Sequence, residues 1–214
     1  MVIRKNIADL VCREMHRKER RKVLLSSMTD AYQPSDAHYE LTRKIIECLL
    51  KGGFPLTVLT KSPLVLRDLD LLKQFSSAEV TFSISSLDKD VYSVFEPRAP
   101  SPEARLKALE RILDSGVRGS LFMAPHLPAK GSFEEQYLPA FRAAKELGLR
   151  TIYMDTLNYG GPLKKTIMET YLRGYPNGLE SYRALLTSPP SYNERLKATT
   201  INLGRSLDLD VVFV

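Results

Sequence analysis

Between Lys22 and Asp36 the chain reads KVLLSSMTDAYQPSD, a continuous apolar run followed by a polar, proline-containing turn and then by residues that open a helix. This stretch constrains the fold more than any other, because the rest of the chain repeats its grammar. Val23, Leu24 and Leu25 form the unbroken apolar run expected of a strand covered on both faces. Ser26 to Asp36 then gather hydroxyls, two carboxylates, a tyrosine and an amide into one loop. In βα architectures such a loop lies outside the carboxyl end of its strand, where ligands bind.

Before it, Ile3, Ile7, Leu10, Val11 and Met15 recur at helical spacing up to about Arg21, with Cys12 near the edge of the apolar face. This helix has no strand ahead of it, unlike every later one. The first strand is expected over Lys22 to Met28, and Asp36 then caps a helix with buried positions Leu41, Ile45, Ile46, Leu49 and Leu50 that Gly52 and Gly53 end. Leu56 to Thr60 is the second strand, and Pro63 starts a short helix through Phe75. Glu79 to Ser85 is the third strand. A long connection punctuated by Glu96-Pro97 and Pro100-Ser101-Pro102 leads to a helix from Pro102 to Ser115, closed by Gly116. Arg118 to Ala124 and Leu149 to Asp155 are strands four and five, flanking a helix from Phe133 to Leu147. Pro162 to Leu207 reads as further helices, and Val211 to Val214 as a short apolar tail. Five strands each followed by helix define a parallel α/β sheet with right-handed crossovers.

The 214 residues, 43% hydrophobic and 26% charged, suit one soluble globular domain. No apolar run approaches the ~20 residues that span a bilayer, and the N-terminus has no apolar signal core, so a cytoplasmic protein without membrane contact is expected. Cys12 and Cys48 lie far apart in helical patterns, which argues against a disulfide or a cysteine metal site and for a reducing compartment. A net charge of +6 permits an acidic partner. The densest basic run, Arg17 to Lys22, is either a solvated helix end or a nucleic-acid contact, and no aromatic interleaves it.

Polar residues gather at the expected strand ends: Thr29 and Asp30; Thr60, Lys61 and Ser62; Ser83, Ser85 and Ser86; His126; Asp155 and Asn158. Singly, each could be a helix cap, but five successive mouths point to a ligand carrying amine, carboxylate and hydroxyl groups. His16, His38 and His126 stand apart from one another, and no GxSxG accompanies them, which excludes a recognisable nucleophile triad. His16 and His38 read as surface residues, while His126 is divided between a mouth and a structural role. GxGxxG and GxxxxGK are absent.

Three segments carry a resemblance. MTDAYQPSDxxxxLTRKIIE, FPLTVLTKSPLVLRDLDLL and SISSLDKDVYSVFEPRAPSPEARLKAL resemble the radical S-adenosylmethionine (SAM) proteins of the spore photoproduct lyase-like group, often labelled DNA repair photolyases, over nearly the whole chain. The resemblance implies a partial (β/α) barrel over residues 1–160, lacking its first strand, with a helical C-terminal extension over 161–214. In that family the first strand leads into a CxxxCxxC loop holding a [4Fe–4S] cluster whose open iron binds SAM. Reductive cleavage then yields a 5′-deoxyadenosyl radical. Cysteine thiolates hold such clusters, and this sequence has no CxxxCxxC.

Carried over position by position, the resemblance places Thr29 and Asp30 at the methionine amino group of SAM. Lys61 and Ser62 fall at its carboxylate, Ser83 and Ser85 at the ribose, and Arg105 is a second carboxylate partner. Asp36 stands where the pattern YQPxE has Glu, and PAKGS replaces the usual PGxxD. The resemblance thus implies a radical SAM lyase-like enzyme missing its cluster segment through a misplaced start codon or an artificial sequence boundary, and inactive as it stands. The rivals are a non-catalytic or vestigial SAM-binding module and a basic nucleic-acid-binding protein. Without the missing strand, Lys22 to Met28 becomes an exposed edge through which a dimer could form.

Overall fold

A computed structural model describes residues 3–15, 17–25 and 28–214. His16, Ser26 and Ser27 therefore lie outside the described residues, and so do parts of the expected first helix and first strand. In chain order the elements are α1 (Ile7–Met15), β1 (Val23–Leu25), α2 (Asp36–Tyr39), α3 (Leu41–Gly52), β2 (Leu56–Thr60), a 3₁₀ turn (Pro63–Asp68) and α4 (Leu69–Leu72). They continue with β3 (Ala78–Ser83), α5 (Lys89–Phe95), α6 (Pro102–Asp114), β4 (Arg118–Met123), α7 (Phe133–Glu146) and β5 (Thr151–Met154). The last elements are α8 (Leu163–Gly174), a 3₁₀ turn (Pro176–Gly178), α9 (Leu179–Thr187), α10 (Pro189–Ser206) and β6 (Asp210–Phe213).

The strands form one six-stranded sheet in the order β1-β2-β3-β4-β5-β6, all parallel. This is the sequential βα order of a partial (β/α) barrel. Leu24 pairs with Thr57 and Val58 with Val80, while Ile152 pairs with Val211. The expected apolar tail is thus the sixth strand. Only three of its residues are apolar, and it stands last in the sheet, so the local pattern was too short to declare a strand.

The chain divides into two compact units, residues 1–82 with 104–120, and 83–103 with 121–214. In the first, Ile46, Val58, Val80, Leu109 and Ile112 have no exposed surface. Each such side chain contributes about 1.5–3 kcal/mol of transfer free energy. β1 departs from expectation: Leu24 is 51% exposed, so this edge strand is covered on one face only. The helix expected from Asp36 onward is broken at Glu40, which has φ 51°. Asp36 opens the one-turn α2 and sends its carboxylate forward to Thr42 N (2.9 Å), capping α3 instead.

An ion-pair cluster fastens the turn after β1 to the segment after β2. Asp68, fully buried, accepts from Tyr32 Oη (3.0 Å), Arg43 Nη1 (3.1 Å), Arg67 Nε (2.9 Å) and Arg67 Nη2 (2.9 Å). Those four donors fill the acceptor positions of a carboxylate. Arg67 also donates to Asp36 Oδ2 and to the Asp36 carbonyl, each at 2.9 Å, and Arg43 grips Asp70 through both terminal nitrogens. The Arg43 hydrogen bond holds the Asp70 carboxyl down at about 2. Burial, followed by the charge of Asp68, pushes the Tyr32 hydroxyl far up. The YQPSD and RDLD segments are therefore two halves of one clamp.

The second unit is built around aromatic side chains. Tyr171 and Tyr182 stack at 4.6 Å between centroids, and Val91, Leu127 and Leu185 complete a buried cluster. Val91 belongs to α5, a helix inside what was expected to be an irregular connection, capped by Asp88 accepting from Asp90 N. α7 begins with a full capping box, Ser132 and Glu135 satisfying each other's backbone N–H.

Asp68→Ala should destabilise the protein by about 3–5 kcal/mol, because it leaves the buried Tyr32 hydroxyl unanswered and takes the shared carboxylate from Arg43 and Arg67, which keep Asp70 and Asp36. Equilibrium urea unfolding measures this, with Asp70→Ala, at a mostly exposed position, as the mild control.

Candidate functional site

The mouth of β1 and β2 in the first unit is organised by one carboxylate. Asp30 Oδ1 accepts from Tyr32 N (2.9 Å) and Thr60 Oγ1 (2.7 Å), and Oδ2 accepts from Lys61 N (2.7 Å). Thr60 Oγ1 in turn accepts from Ser62 N (2.9 Å), and Ser62 Oγ accepts from Leu64 N (3.3 Å), where Pro63 takes the first helical position. Thr29, Asp30, Lys61 and Ser62 are thus brought together on two adjoining turns. Among the described residues, three of the four or so acceptor positions of Asp30 are taken, which leaves one on Oδ2 for an outside donor.

Beside Asp30 lies a cavity of about 390 Å³, lined by Ile3, Arg4 and Ile7 from the N-terminal segment and by Thr29, Asp30 and Thr42 among others. Its volume suits a small ligand. Thr29 is exposed and Lys61 partly exposed. Arg105, in α6 of the same unit, has no exposed surface, so a carboxylate that meets it must be buried as well.

Ser83 and Ser85 belong to the second unit. Ser83 Oγ donates to the Ala124 carbonyl (3.1 Å). Ser85 Oγ is buried and has no hydrogen-bond partner among the described residues. An orphaned buried hydroxyl is costly unless a ligand or water answers it. A second cavity, of about 530 Å³, is lined by Ser86, Asp88, Lys130, Glu135 and Gln136 among others. Gln136 Nε2 steadies its rim by donating to the carbonyls of Ala129 (3.1 Å) and Gly131 (3.3 Å). Asp155 is partly exposed at the end of β5, and Asn158 is exposed.

His126 has a structural role. It is 1% exposed, and its Nδ1 and Nε2 are hydrogen-bonded to Tyr137 Oη (2.6 Å) and Tyr192 Oη (3.0 Å). One hydroxyl donates and the other accepts, which fixes a neutral tautomer. Burial holds the imidazole down at about 3 and pushes the Tyr137 and Tyr192 hydroxyls far up. The histidine therefore pins α7 and α10 to the turn after β4. The sequence offered no signal for this, since its partners lie 11 and 66 residues away. His38 is exposed in α2.

The cysteines also depart from expectation. Cys12 and Cys48 are joined as a disulfide with their Cα atoms 5.3 Å apart. They are distant in sequence, but α1 packs against α3 and brings them face to face. Among the described residues no group of three or more His, Cys, Asp or Glu could hold a metal ion. These residues therefore do not fit a [4Fe–4S] cluster, and no chemical step is derived through one. They do fit SAM, to which the first unit offers the remaining acceptor position on Asp30 and the cavity beside it.

Comparison with known proteins bears on the family and the fold. The sequence profile of the Radical SAM superfamily matches residues 6–130. The chain belongs to the radical SAM superfamily. An uncharacterized protein of Methanocaldococcus jannaschii is 38% identical over 128 residues, covering 60% of this chain and 48% of the relative. One from Mycobacterium tuberculosis is 31% identical over 209 residues, covering 92% and 61%. The chain thus spans about half to three fifths of the length of these curated relatives. Among solved structures, a spore photoproduct lyase with a single cysteine replaced by serine superposes with a TM-score of 0.61 at 21% identity, covering 78% of this chain and 51% of that one. Streptococcus suis SuiB bound to S-adenosylmethionine superposes at 0.59 and 12% identity, covering 98% and 42%. At these identities the likeness is one of fold, and the fold is the partial barrel of radical SAM enzymes. No helix among the described residues is long and apolar enough to cross a membrane.

The depressed His126 makes stability pH-dependent. The unfolded imidazole takes up a proton near its ordinary value of about 6.5, whereas the folded one does so only near 3. This contribution is fully present above pH 7 and is lost progressively as pH falls. Between pH 7.5 and 5 the wild type should lose ~2 kcal/mol through this group. His126→Gln should lose most of that slope in urea unfolding at the two pH values.

Proposed function

We propose that these residues are the SAM-binding scaffold of a spore photoproduct lyase-like radical SAM enzyme whose cluster-binding cysteines lie in sequence outside them. The observation that carries this reading is the Asp30-centred mouth, which falls inside the segment matching the Radical SAM profile. In this reading Asp30 accepts from the methionine amino group with Thr29 beside it. Lys61 and Ser62 receive the carboxylate, with Arg105 as a second cation able to make bidentate contacts. In the second unit, taken by itself, Ser83 and Ser85 keep the ribose role that the resemblance implies, and the unanswered Ser85 hydroxyl supports a polar ligand there. In intact members, SAM at the cluster supplies a 5′-deoxyadenosyl radical for hydrogen abstraction. The chain alone binds the cofactor and performs no radical chemistry.

Calorimetric titration of SAM into the protein should give a measurable binding heat, and Lys61→Ala should weaken the affinity about tenfold, the worth of one charge-assisted contact. Absence of heat would leave only a vestigial scaffold, without the pocket. Anaerobic treatment with iron and sulfide should leave the protein colourless, and a cluster absorption band would contradict the assignment of the ligands to outside sequence. Reading the gene upstream of Met1 in frame should uncover CxxxCxxC, whereas a stop codon ahead of any such motif favours the non-catalytic SAM-binding module.

A second reading rests on charge. The first 22 residues hold eight basic side chains against three acidic ones, and Arg17 to Lys22 are exposed. Two of these cations are already paired, Arg21 with Glu19 and Lys22 with Glu79. Nucleic-acid binding through this run would show a steep fall of affinity with salt. Pairing of two copies through β1 would appear as a dimer in sedimentation that Leu24→Lys dissociates.

A further inference from the structure

Cys12 and Cys48 have no part in the proposed chemistry, yet their placement is specific. Cys12 lies in α1 and Cys48 in α3, with Cα atoms 5.3 Å apart, inside the span that a disulfide bridges without moving the backbone. Both residues are partly exposed, so small thiols and disulfides can reach them. The two helices approach closely: a Cβ added at Gly52 would collide with the Met15 side chain. The chain enclosed by the cross-link contains β1 and the whole Thr29–Asp36 turn.

Apart from its packing against α3, the hold on α1 is slight. It has nine residues, of which two are buried, and an isolated helix shorter than roughly 12–15 residues is marginal in water. Its position therefore depends on its contact with α3. That position matters to the site, because Ile3, Arg4 and Ile7 at its leading end line the 390 Å³ cavity opposite Thr29 and Asp30.

We propose that Cys12 and Cys48 form a reversible redox latch that determines whether α1 is held as a wall of the cavity beside Asp30. In the closing reaction one cysteine thiolate attacks a low-molecular-weight disulfide such as glutathione disulfide. This forms a mixed disulfide and releases one small thiol. The second cysteine then attacks the protein sulfur of that mixed disulfide and releases the other small thiol. Two protein thiols are oxidised, one small disulfide is reduced to two thiols, and the two protons end on the released thiols. Excess dithiol reverses the sequence. The latch operates whatever ligand occupies the cavity.

The test compares the full chain after equilibration with glutathione disulfide and after dithiothreitol. In the oxidised sample, digestion without reductant should yield a peptide pair linked through Cys12 and Cys48. On reduction, hydrogen exchange of the Leu10 to Met15 amides should accelerate at least tenfold while that of Leu56 to Thr60 stays unchanged, and the melting temperature should fall by roughly 5–10 °C. Cys12→Ser under oxidising conditions should match the reduced wild type. Alkylation of both cysteines after the disulfide treatment, or equal α1 exchange in the two states, would overturn the proposal. The wild-type comparison stands even where a serine variant folds poorly.

Discussion

The buried carboxylate of Asp68 is the constraint on which the first unit depends. A fully desolvated carboxylate is tolerable only when its acceptor positions are filled, and here Tyr32, Arg43 and Arg67 fill them. These donors come from three places in the chain, so satisfying one charge fixes three segments at once. Arg67 passes the constraint to Asp36, and Asp36 passes it to the first turn of α3. The turn carrying Thr29 and Asp30 is therefore held from behind by charge-assisted bonds and from the side by Thr60 and Lys61.

That arrangement separates support from contact. The segments RDLD and YQPSD belong to the pattern by which the chain resembles the spore photoproduct lyase-like group, yet most of their polar atoms face one another. The short side chain of Asp36, where the pattern has Glu, still reaches both Thr42 N and Arg67 at 2.9 Å. Three of the acceptor positions of Asp30 shape the turn. The second unit uses a neutral device for the same purpose, a histidine between two tyrosyl hydroxyls, which positions its helices without burying a charge.

The strands and helices were legible wherever the signal is local. The alternation of LTVLT, the proline and serine of KSP, and the glycines after α3 and α6 mark their elements within a residue or two. Boundaries slipped where a local signal was overruled. Glu40 in a left-handed conformation splits a helix that periodicity runs together, and α5 hides in a connection whose prolines all follow it. β6 is too short to show any period. The mouths were legible too: Thr29, Asp30, Lys61 and Ser62 do converge in the first unit. Their division from Ser83 and Ser85, which fall in the second unit, was not.

The sequence by itself determined the order of the elements, the parallel class of the sheet and the membership in the radical SAM superfamily. All three are written in residues close together along the chain, where sterics, turn chemistry and periodicity act. Only the tertiary structure decided which polar groups are saturated and which remain available. Asp68 with Arg43 and Arg67, His126 with Tyr137 and Tyr192, and Cys12 with Cys48 meet because helices dock on a sheet. The free energy of each depends on burial, which no spacing of residues records.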